Sequence, residues 1–133
     1  MHQDLSKKSI RESIKSLALG DRQMEAELAV LYYKSICELK ERYATGLIGK
    51  EVETLRFIRH QYRSTFHLLH LPALGSEVEK SRQILDSQHT STLSIQASVA
   101  SVNVLCDQVL AQLRLAYACV EEYDKQVRVE EGF

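Results

Sequence analysis

A chain of 133 residues with 44% apolar and 26% charged side chains can bury one core, and it mixes its signs too evenly for a disordered or acidic solvating tail. One proline and five glycines are too few for a turn-rich all-β architecture, and 7% aromatics without tryptophan make a poor stacking platform for nucleic acid. The net charge of -1 offers no bulk attraction for a polyanion, and the lack of an uninterrupted run of about 18 apolar residues argues against a membrane span.

The first twenty residues lack the apolar stretch of a secretory signal, and Asp4 and Glu12 spoil the acid-poor character of a transit peptide. Ser9 and Glu12 have capping-box spacing, and Leu5, Ile10, Ile14 and Leu17 share a face, which predicts a helix over 5–19. After Gly20, Asp21 suits the N-cap of a second helix over 21–45. Met24, Leu28, Leu31 and Leu39 line one side of it, and Val30, Tyr33 and Cys37 widen that surface. Gly46 and Gly49 read as the next interruption. A third helix is expected over 48–70, with Ile48, Val52, Leu55, Ile58, Tyr62, Phe66 and Leu69 on its buried face and Pro72 stopping it.

Beyond Gly75, Ser76 and Glu79 repeat the capping-box spacing, and a heptad-like seam runs from Val78 to Val127. The seam predicts a long C-terminal helix over 76–129, about 75–80 Å if unbroken. No other segment could cover that length, so either the Ser/Thr-rich stretch 87–92 breaks it or a second chain packs beside it. The expected fold is a single all-α domain over 1–133. It is an antiparallel, coiled-coil-like helical bundle of four to five helices with a long C-terminal helix.

Three patterns bear on function. From Ser87 to Leu113 the only formally charged side chain is Asp107, while Ser94, Ala97, Ser98, Ala100 and Ser101 keep the surface small. A helix with so few solubilising groups must be covered, and Ile95, Val99, Val102, Val109 and Leu113 are the residues expected to meet a partner helix. On the third helix Arg56, His60, Arg63, His67 and His70 fall within roughly 80° of arc, with Arg59 at the border, a stripe suited to an anionic partner. His60, His67 and His70 could share a face, but neither paired Glu-x-x-His nor His-Glu-x-x-His occurs, so no metal or cofactor is expected. The third pattern is polarity along the chain, with a balance of +2 over residues 1–20 and -3 over residues 121–131.

Cys37, Cys106 and Cys119 are odd in number, widely spaced and without a CxxC pair. They fit buried thiols in an intracellular, cytoplasmic or nuclear setting better than a disulfide frame or zinc site. No phosphate loop, nucleophile elbow or local His/Asp/Ser arrangement is present, so neither an enzyme nor a small-molecule substrate is expected. The residues point first to a non-catalytic helical interaction module, a homo-oligomer or a small subunit of a larger assembly. A small chaperone or regulator, such as those of secretion systems, holding a partner's amphipathic segment comes next. Nucleic-acid binding through the basic face of the third helix is disfavoured by the near-zero net charge.

Overall fold

The computed structural model describes residues 9–86 and 91–132. Six helices pack against one another, α1 (Ile10–Ala18), α2 (Arg22–Ile48), α3 (Val52–Leu68), α4 (Pro72–Asp86), α5 (Thr92–Ala116) and α6 (Ala118–Glu130), with no strand among the described residues. The first two starts follow from their caps. The Ser9 Oγ accepts the Glu12 N–H at 3.1 Å, and the Glu12 carboxylate accepts the Ser9 N–H at 2.9 Å. Asp21 accepts the Met24 N–H at 3.0 Å. Leu5 lies outside the described residues.

The expected helix count of four to five becomes six because the long helix over 76–129 is three helices. α4 ends at Asp86 and α5 opens at Thr92, where the Ser91 Oγ accepts the Ser94 N–H at 3.0 Å. Residues 87–90, where a break was expected, lie outside the described residues. The second interruption, at Tyr117, has no glycine or proline to announce it. Tyr117 is extended (φ -133°, ψ 115°) and its phenol donates to Glu25 of α2 at 2.7 Å, so a tertiary bond holds the residue out of the helix.

Two glycines read as breaks lie inside helices instead. A Cβ on Gly46 would stand 3.3 Å from the Thr54 methyl, and one on Gly75 would stand 3.3 Å from the Phe66 ring. Both are close approaches between helices, where a Cβ would press on the neighbouring side chain by a few tenths of an ångström. Pro72 does more than stop α3. It is the first residue of α4, where its missing N–H costs nothing, and Ser76 and Glu79 sit within that helix rather than at its start.

The chain reverses after α2 and α3 through left-handed C-terminal caps. Glu51 N–H bonds Gly46 C=O at 2.8 Å and Leu71 N–H bonds Phe66 C=O at 2.8 Å. The left-handed residues are Lys50 (φ 53°) and His70 (φ 56°), positions that glycine fills without strain. Lys50→Gly is therefore expected to raise stability by about 1 kcal/mol, read as a higher urea midpoint at unchanged slope. A lower midpoint would refute the assigned turn.

α2 lies at the centre, against α1, α3, α5 and α6, with α5 its broadest neighbour. Its buried residues are Ala29, Tyr33, Ile36, Leu39, Tyr43, Gly46 and Leu47, so the face predicted from Met24 and Leu31 is displaced and both of those are exposed. On α3, Leu55, Ile58, Tyr62 and Phe66 are buried with Leu69 just beyond it, while Val52 is exposed, and Ile48, also exposed, is the last residue of α2. Only Cys106 is a buried thiol, whereas Cys119 is half-buried and Cys37 exposed, all three unbridged. α5 is long and apolar enough to cross a membrane by length and composition alone, a property its scattered serines and glutamines hide from a search for uninterrupted apolar runs.

Candidate functional site

The seam expected to meet a partner is covered from within. Ile95, Val102, Val109 and Leu113 belong to the chain's own core, and Val99 packs against it half-buried. Tyr43 of α2 and Ser98 of α5 share a buried hydrogen bond of 2.6 Å across the same interface. Within this fold, then, the partners of those five residues are helices of the same chain.

α5 has a second apolar stripe on its far side. Leu93 (76% exposed), Val104 (55%) and Leu115 (89%) stand along it, with Ala97 and Ala100 exposed between them and Ala111 half-buried. At 100° per residue these positions and Gln108 fall within roughly 80° of arc, about half a turn from the buried seam. The stripe runs about 33 Å. Asp107 and Arg114 flank it on one side, Asp107 held by Lys40 of α2 at 2.7 Å and Arg114 donating to Tyr33 at 2.9 Å. Its order is symmetric about Val104, with Ala100 and Gln108 four residues away, Ala97 and Ala111 seven, and Leu93 and Leu115 eleven. At the Leu115 end the stripe borders an apolar trough of about 510 Å³ between the start of α1, the α3–α4 corner and α5.

The basic stripe of α3 does not form one surface. Arg56, His60, Arg63 and His67 are exposed, and Arg56 and Arg63 pair with Glu53 at 3.2 Å and Glu79 at 3.3 Å. Arg59 turns inward, 6% exposed, and donates to the Ser81 Oγ of α4 at 2.8 Å. His70 lies beyond the helix end, and its Nδ1 shares a 3.0 Å hydrogen bond with Ser13 of α1. Among the described residues no three His, Cys, Asp or Glu side chains converge as a metal site would require.

Sequence reasoning missed the polar cluster that ties α6 to the rest. Tyr33 donates to Asp124 at 2.8 Å and accepts from Arg114 at 2.9 Å, joining α2, α6 and α5. Arg11 of α1 lies 5.9 Å from the ring of Tyr117, close to the bond between that phenol and Glu25. Contacts between residues some ninety positions apart leave no local pattern to read. No protein family, no curated protein and no solved structure matches the chain.

Proposed function

We propose that the chain is a non-catalytic helical interaction module that pairs with a second copy of itself through the outer stripe of α5. The observation that carries this reading is the symmetry of the stripe about Val104. Two antiparallel copies related by a twofold axis at Val104 would set Leu93 against Leu115, Ala97 against Ala111 and Val104 against itself, with Ala100 against Gln108 as the one unlike pair. An isologous contact requires such self-complementarity, because each residue must meet its mirror position. The alanines let the two backbones approach, and the lack of charge lets the contact dry. Packing of this kind would add a helix-on-helix contact on the outer side of α5.

Light scattering on the purified chain is expected to give twice the 15.2 kDa chain mass at micromolar concentration. Val104→Glu places two like charges on the axis and removes two apolar contacts. Each is worth about 1.5–3 kcal/mol when fully buried, so the dimer should weaken by at least about 100-fold while the fold persists. Register is read by mild oxidation in a Cys37→Ser/Cys119→Ser background. Val104→Cys should crosslink to itself, whereas Leu93→Cys should crosslink only to Leu115→Cys. A chain that stays monomeric at 100 micromolar overturns self-pairing, and capture by a different protein would then make it one subunit of a hetero-complex.

A further inference from the structure

Between α3 and α4 lies a cavity of about 180 Å³ lined by Val52, Arg56, Arg59, Ser81, Arg82 and Leu85, with Asp86 as its single carboxylate. This is well below the roughly 300–1,000 Å³ of sites that enclose a drug-sized ligand, so it suits one small group. Its floor is unusual. Arg59 is buried, yet among the described residues it has no carboxylate partner, and its Nη1 is satisfied there by Ser81 alone. Ser81 in turn donates to the Val78 carbonyl at 2.7 Å, which fixes the hydroxyl with a lone pair toward the guanidinium. The Nε of Arg59 is buried without a hydrogen-bond partner among the described residues. Among the described residues Arg82 takes part in no ion pair, and Arg56 is engaged there only by the exposed Glu53, a pairing too weak to hold it from a better acceptor.

A buried guanidinium is normally paired, because desolvating an uncompensated charge is costly. Here the neighbouring cations aggravate the cost. Burial first, and then the like charge of Arg82, push the Arg59 guanidinium below its ordinary value, with Arg56 acting in the same sense and Glu79 and Asp86 opposing. An anion with several acceptor oxygens would satisfy this arrangement. Planar guanidiniums on a tetrahedral oxyanion give short, charge-assisted hydrogen bonds, and three donors around one small space match the geometry of phosphate.

We infer that the α3–α4 cavity is a binding site for a single phosphate dianion, free or as a phosphomonoester, held by Arg59 from below and by Arg56 and Arg82 from the rim. The phosphate oxygens take the Arg59 Nε that is otherwise unpartnered, and the excess positive charge of the cavity selects a dianion over the monoanionic phosphodiester of a nucleic-acid backbone. The site uses neither the outer stripe of α5 nor self-pairing, so it stands or falls separately from them.

The test is titration of the full chain with inorganic phosphate, with phenyl phosphate and with an oligonucleotide lacking terminal phosphate, at constant ionic strength against chloride. Phosphate is expected to bind and to raise the melting temperature where chloride does not. Arg82→Ala should weaken it at least about tenfold, and Arg63→Ala, whose residue lies outside the cavity, should leave it unchanged. Phenyl phosphate binding about tenfold tighter than inorganic phosphate would identify a phosphomonoester as the ligand, and equal binding would identify the free anion. Arg59→Met should fold with an unchanged or higher melting temperature and lose the phosphate response, since the variant removes an unpaired buried charge. Phosphate no better than chloride, or an Arg82→Ala chain with unchanged affinity, overturns the site. So does tighter binding of the oligonucleotide than of phosphate.

Discussion

Val102→Glu is expected to abolish the cooperative fold at neutral pH, while Val104→Glu, two residues further on, leaves it standing. Val102 is 0% exposed in the core that α5 shares with the rest of the chain, whereas Val104 lies on the opposite, outer side. A carboxylate forced into that core forfeits the burial of the valine, about 1.5–3 kcal/mol, and adds several more for desolvating an unpaired charge. Against the total of about 5–15 kcal/mol that holds a domain of this size, the sum removes most or all of the stability. Burial would raise the folded pKa of the new carboxyl, so its penalty is relieved as pH falls and it is protonated. Circular dichroism should therefore show helix returning toward pH 4 and lost at pH 7. Measured on the monomer, where no self-pairing contributes, the change at Val104 should cost within about 0.5 kcal/mol. Equal melting of the two variants would mean that the inner and outer faces of α5 have been exchanged.

That pair of residues also marks how far the sequence could be read. Periodicity announces α5 and its inner seam because a 3.6-residue repeat needs only local spacing, and the caps at Ser9 and Asp21 are legible because each bond spans three residues. The outer stripe uses the same repeat, but its alanines and glutamine carry little hydrophobic signal, so the window from Ser87 to Leu113 reads as uncharged without showing that it has two faces. Glycine and proline mislead for a related reason. Gly46 and Gly75 ease a close approach to a side chain of the neighbouring helix, which only the tertiary packing makes visible. The stripe on α3 identifies Arg56 and Arg59 but not Arg82 or Ser81, which come from α4. A signal for them does exist. α3 and α4 form a hairpin about His70, and Arg59 and Ser81 each lie eleven residues from it, so placing the turn at His70 rather than at Gly75 brings them together.

Alkaline unfolding should begin near pH 9 and be complete near pH 12, driven by protons that the folded chain holds and the unfolded chain releases. Burial, then the field of Asp107, raises the Cys106 thiol from 9.0 to about 12, with Lys40 opposing. Burial, then the hydrogen bond to Asp124, raises the Tyr33 phenol from 10.0 to about 12 against the pull of Arg114. Tyr43 and Tyr117 shift in the same direction, burial leading in both. Each group is neutral in both states below its unfolded value, so its contribution is whole there. Above that value the unfolded state binds fewer protons than the folded one, and stability falls until pH passes the folded value. At about 1.4 kcal/mol per unit, Cys106 alone removes on the order of 4 kcal/mol and Tyr33 on the order of 3, enough to exhaust a marginal domain. Urea midpoints from pH 7 to 11.5 measure the slope. Cys106→Ala should lower the midpoint modestly at pH 7 by opening a small cavity, yet flatten the decline that starts at pH 9. Tyr33→Phe should leave that early decline intact and flatten only the part above pH 10. An unaltered slope in Cys106→Ala would mean that the thiol reaches water in the folded chain, against its place between α2 and α5.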